Sequence, residues 1–95
     1  MINAKITFLS LLKDRIGTKE LNMDLEDQST INDLFSKLFE KFGEDMKKIL
    51  INKTGELNDQ VVIMINEKNI RSEDNLNTKI HNNDEIIFLP AIAGG

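Results

Sequence analysis

The chain has no cysteine, no tryptophan and no tyrosine, and it has one histidine and one proline in 95 residues. The lack of cysteine excludes disulfides, thiolate nucleophiles and thiolate metal sites. If this protein handles sulfur, its side chains do not carry it. His81 has no cysteine to pair with and falls in an expected surface turn, so it reads as structural rather than as a general base. Asp33, Glu40, Glu44 and Asp45 have the density of a solvated helix face. No glycine-rich loop follows a strand pattern, which removes the nucleotide-binding fingerprint. Without Tyr and Trp the most favoured hot-spot anchors other than Arg are missing. The lysines are scattered, no aromatic lies among them, and the net charge is -4, which argues against a nucleic-acid partner. No apolar run approaches the roughly 20 residues of a membrane span, and the basic and apolar regions of a secretory signal are missing, so the expected location is cytoplasmic with no membrane partner. Catalytic chemistry is thinly provided. The chain is a better substrate for another enzyme than an enzyme.

What is present is the pattern of one small α+β domain. At 95 residues the chain has room for a single core. Ile2, Ala4, Ile6 and Phe8 alternate with Asn3, Lys5, Thr7 and Leu9, the period of a half-buried strand. Leu11, Leu12, Arg15 and Ile16 fit a short helical turn stopped by Gly17, and Glu20 to Leu25 fits a second strand. Thr30 is an N-cap with Asp33 three residues on, and Ile31, Leu34, Phe35, Leu38 and Phe42 recur at helical spacing up to Gly43. Met46, Ile49 and Leu50 suggest a short second helix on the rim of the core. Val61 to Ile65 is a β-branched run apolar on both faces, a central or helix-covered strand. Ile70, Leu76 and Ile80 lie in a polar segment where a short strand or turn is expected. Asn82-Asn83-Asp84 leads into a last strand from Glu85 to Leu89. One main helix across a mixed four- or five-stranded sheet is the economical way to bury this apolar set, which is the ubiquitin-like β-grasp arrangement. A ferredoxin-like fold would need a second full covering helix.

The organising stretch is Pro90-Ala91-Ile92-Ala93-Gly94-Gly95. Two of the five glycines in the chain stand side by side here. Proline is a suitable exit from a sheet, and Gly-Gly has no side chains to widen the chain beyond it. Residues 90–95 are therefore expected to form a flexible, slender tail tipped by a free carboxylate. Strand parity adds that if Phe8, Ile86 and Phe88 face the core, then Leu9, Ile87 and Leu89 face outward, an apolar patch at the root of that tail.

These features resemble the small subunit of molybdopterin synthase, a ubiquitin-like sulfur carrier, and within that group its longer archaeal-type members. The likeness rests on Lys5-Ile6-Thr7-Phe8-Leu9, the Leu12-to-Gly17 turn, the Thr30-led helix, Ile65-Asn66, and the run from Asp84 through Phe88-Leu89-Pro90 to Gly94-Gly95. The resemblance implies that Gly95 carries the carboxylate which an E1-like adenylating enzyme activates with ATP and converts to a thiocarboxylate. It implies that Gly94 is its slim neighbour in the partner's channel. Leu9, Lys13, Ile87, Leu89, Pro90 and Ile92 would contact partners. Those partners would be the synthase large subunit, in a heterotetramer, the activating enzyme and a sulfur donor. No cofactor would be bound to the chain itself, which would be the non-catalytic subunit of a two-subunit synthase. The chain departs from the family at Ala91, commonly a second proline, at Asn69, often apolar, and at Asn83-Asp84, where a glycine is usual.

Three other uses of such a chain stay open. Gly95 could be joined to lysines of other proteins, as relatives with the same ending can be. The chain could be the sulfur carrier of thiamine synthesis, although those are typically shorter and lack the Phe88-Leu89-Pro90 exit. It could also be an interaction module whose tail has no chemical role.

Overall fold

The computed structural model of the protein describes residues 1–91. Its strands and helices fall where the two apolar periods lie. β1 (Ile2–Phe8) buries Ala4, Ile6 and Phe8 completely and leaves Lys5 exposed between them. After it comes α1 (Leu11–Ile16), anchored by buried Leu12 and ended by Gly17, whose φ of 83° is the left-handed cap geometry that favours glycine. β2 (Glu20–Leu25) returns antiparallel to β1, with Leu21, Met23 and Leu25 turned toward the core.

α2 (Ile31–Phe42) begins at a full capping box. The Thr30 hydroxyl accepts the Asp33 N–H, and Asp33 Oδ2 accepts the Thr30 N–H at 2.8 Å. It ends at Gly43, φ 85°, from which α3 (Glu44–Leu50) starts in a new direction. α3 sits deeper than the rim: Leu50 is fully buried and Met46 nearly so.

β3 (Val61–Ile65), β4 (Lys68–Asn69) and β5 (Asp84–Pro90) complete a five-stranded sheet in the order β2-β1-β5-β3-β4. The central β1–β5 pair is parallel and the remaining pairs are antiparallel. This is a mixed β-grasp sheet with its helices packed on one face. The packing is explicit in the aromatic contacts, where Phe8 on β1 and Phe88 on β5 stand 5.1 Å apart, ring to ring. Phe42 of α2 meets Phe8 edge-on at 6.4 Å, and Phe35 of α2 meets Phe88 at 6.1 Å.

Between β4 and β5 the chain makes two single-turn 3-10 segments, Ile70–Ser72 and Asn75–Asn77. This segment looks polar in sequence, yet Ile70 and Ile80 are almost wholly buried. Backbone bonds hold it down, with the Ile31 N–H donating to Thr78 O at 3.0 Å and the Ile80 N–H to Ser29 O at 2.8 Å. Arg71 fastens its other end by donating to Val61 O at 2.8 Å and Asn58 O at 2.9 Å. No described helix is long and apolar enough to cross a membrane.

Candidate functional site

Chain geometry fixes the root of the tail. β5 lies between β1 and β3, so its last residues are held from both sides. Val61 stands opposite Pro90, and beyond the strand Ala91 still donates its N–H to Gln60 O at 2.9 Å. On the other flank, the Leu9 N–H donates to Phe88 O at 2.9 Å and carries the parallel ladder one residue past β1. Ile92, Gly94 and Gly95 lie outside the described residues.

At its start β5 is fixed by a polar knot. Asp84 is buried, its Oδ2 accepting the His81 N–H and its Oδ1 accepting Asn66 Nδ2, each at 2.7 Å. Asn66 Oδ1 in turn accepts the Glu85 N–H at 2.9 Å. Asn83 takes φ 69° and donates its N–H to Asn3 O at 2.7 Å. Asparagine tolerates this left-handed geometry, so the turn closes without a glycine. The knot sets the register along the whole of β5. The His81 ring is exposed beside it, Nδ1 3.8 Å from Asp84 Oδ2.

With that register, alternate residues on the face away from the helices form two rows. One crosses the sheet as Met64, Ile87 and Thr7, and the other as Val62 and Leu89, with Leu9 at its end. Leu9 is 37 % exposed, and Val62, Met64, Ile87 and Leu89 are half-buried. The apolar surface at the root of the tail is therefore wider than Leu9, Ile87 and Leu89. Val62 and Met64 escaped the sequence reading because a strand apolar on both faces looks covered on both. Asn69, opposite Met64, bounds this surface, its Oδ1 accepting the Arg71 N–H at 2.9 Å. Lys5 and Glu20 border the other side, 3.9 Å apart.

Lys13 is exposed on α1, the helix that follows Leu9, and forms no salt bridge among the described residues. No described group of three or more His, Asp or Glu side chains is placed to hold a metal ion. At the end of β5 the described residues present an apolar sheet face beside a strand exit held on both sides.

Comparison with known proteins agrees with this geometry. The family model for the ThiS family matches residues 6–95. A protein of Archaeoglobus fulgidus, provisionally named a sulfur carrier protein, is 35 % identical over 80 residues, covering 84 % of this chain and 89 % of its own. Among solved structures, small archaeal modifier protein 1 from Methanosarcina acetivorans superposes with a TM-score of 0.81 at 30 % identity, covering 100 % of this chain and 98 % of that one. The Haloferax volcanii protein HVO 2177 has the same TM-score of 0.81 at 21 % identity, over 99 % of this chain and 87 % of its own, a likeness of fold.

Proposed function

Because this chain belongs to the ThiS family, and so to the β-grasp, ubiquitin-like sulfur carriers, we propose that it is a carrier whose Gly95 carboxyl is activated and passed on by partner enzymes. The observation that supports this reading is a family match over residues 6–95, which reaches the Gly94-Gly95 end of the sequence. A carboxylate is a poor electrophile. Attack of the Gly95 carboxylate on the α-phosphate of ATP, on an E1-like enzyme, would form an acyl adenylate and release pyrophosphate. Hydrosulfide attacking the acyl carbon would then displace AMP and leave a thiocarboxylate. A persulfide donor would reach the same product through an acyl disulfide whose S–S bond a second thiol cleaves, that thiol leaving as a disulfide with the donor.

This chain's part is to deliver that group. With Ala91 held to Gln60, residues 92–95 can carry Gly95 no more than about 14 Å from the sheet. The apolar face at Val62, Met64, Ile87 and Leu89 gives the partner a place to grip while the tail is threaded. Fixing both ends converts an encounter into an oriented, local reaction. Gly94 keeps the approach narrow, and Pro90 with Ile92 would line the channel's mouth.

Two destinations for the activated glycine follow from one chemistry. Full-length similarity at 30 % identity to an archaeal modifier favours joining Gly95 to lysine amines of other proteins. The similarity to a sulfur carrier favours donation of sulfur to a small-molecule acceptor. Delivery to a molybdopterin synthase large subunit is one form of the second, motivated by the Phe88-Leu89-Pro90 exit, and thiamine synthesis is another. Intact-mass and peptide analysis of protein from the native host separates them. Replacement of one terminal oxygen by sulfur supports carriage, and lysine branches ending in Gly95 support modification. A terminus with neither contradicts the proposal.

A further inference from the structure

On the other side of the β5 exit from the apolar sheet face lies a groove of about 570 Å³. The apolar Leu11, Leu12, Ile49 and Val61 line it together with Arg15 and Ala91. The two neighbouring leucines of α1 are used differently. Leu12 is 4 % exposed and pins the helix to the core, whereas Leu11 is 64 % exposed. An exposed leucine alone would need no explanation, but this one forms part of a concave surface. Arg15 is exposed, and it forms no salt bridge among the described residues. With Lys13 it makes α1 a basic element, Asp14 notwithstanding, on a chain whose net charge is -4.

We propose that this groove is a second contact for the adenylating enzyme that takes Gly95, receiving from it an apolar side chain flanked by a carboxylate. Resting on the function proposed above, the inference names where and by what chemistry the enzyme holds the carrier. Reach selects the occupant. Ala91 is part of the groove's wall, and residues 92–95 span at most about 14 Å, so an enzyme closing on Gly95 comes to within that distance of the groove. Charge selects the chemistry. The guanidinium presents a planar fork of donors matched to a carboxylate, and the leucines beside it match an apolar anchor. The enzyme then straddles the strand exit, gripping the sheet face on one side and the groove on the other. Two contacts set the direction in which the tail leaves, where a single flat patch would allow it to swing.

The test is ATP–pyrophosphate exchange by the purified adenylating enzyme of the native host, using the full chain, a Gly95 deletion, Leu11→Ser, Arg15→Glu, Arg15→Lys and a control, Asp14→Asn. Leu11→Ser and Arg15→Glu are expected to raise the carrier's KM about tenfold or more with kcat little changed, the signature of lost uniform binding. Arg15→Lys, which keeps the charge but loses the fork, should raise KM less than Arg15→Glu does, and Asp14→Asn should stay near wild type. Melting temperatures should be unchanged, because both altered side chains are exposed. If the Gly95 deletion abolishes exchange while Leu11→Ser and Arg15→Glu match wild type, the groove proposal is overturned and the carrier reading stands. If wild type gives no exchange, the carrier reading falls and the groove with it. A dimer of the free protein that Leu11→Ser dissociates, with KM unaltered, would assign the groove to a second copy and also overturn the proposal.

Discussion

Val62 stands opposite Leu89 across the antiparallel β3–β5 pair, both on the sheet face that the helices do not cover. Neither residue is held in place by the core behind it. Leu89→Asp should therefore leave the fold intact, with a stability change within about 1 kcal/mol. Its affinity for the activating enzyme should nevertheless fall about tenfold or more, from lost apolar burial and a newly desolvated charge. Calorimetric titration reads this directly, and unchanged affinity would remove the sheet face from the account.

Leu38 is fully buried on α2, under the sheet residues Ile6, Ile63 and Ile86 of the same core. Leu38→Ala should cost about 2 to 5 kcal/mol, since a rigid sheet cannot collapse onto the space left behind. Denaturant melts would show it. A loss below about 0.5 kcal/mol would place the side chain outside the core.

The helices and long strands were legible in the sequence because local periodicity decides them. Thr30, Asp33 and Gly43 bound α2 by hydrogen bonds that close within a few residues, and the period-two alternation of β1 and β2 needs no partner to be seen. Ile70 and Ile80 were not legible. They are buried by 3-10 turns and by a single bridge between Thr30 and Lys79, which are far apart in the sequence. Leu57 is buried in the same way, behind a bridge to Ile51. At the candidate site, parity exposed Leu9, Ile87 and Leu89, but the outward role of Val62 and Met64 depends on which face the helices take. The groove beside Ala91 was beyond sequence reasoning because it exists only where α1, α3 and the start of β3 meet.

Asp84 holds the register on which the apolar rows depend. Asp84→Ala would leave the His81 N–H and Asn66 Nδ2 without their acceptor in a buried place. The expected loss is about 1.5 to 3 kcal/mol, the usual value for hydrogen bonds to a charged group, with Asp84→Asn intermediate. Chemical denaturation of the three proteins checks it. Equal stabilities would mean that the turn closes without the carboxylate.

Thr30→Ala should cost about 1 kcal/mol by opening the capping box of α2. Hydrogen exchange should quicken at Asp33 and the first turn more than at Leu38. Uniform quickening would mean that the cap stabilises the whole domain and not the helix end.

The central claim is that Gly95 is the residue on which the chemistry occurs. Its most direct test is reconstitution with ATP, a sulfur donor and the native activating enzyme, followed by intact mass of wild type, a Gly95 deletion and a chain extended by one residue. Wild type should acquire the adenylate-dependent exchange of one terminal oxygen for sulfur, and both altered chains should melt like wild type yet acquire none. A misplacement of even 1 Å at a rigid active site can cost about 10²-fold, and one residue shifts the carboxyl by about 3.5 Å. Sulfur incorporation at the wild-type rate in either altered chain would contradict the account.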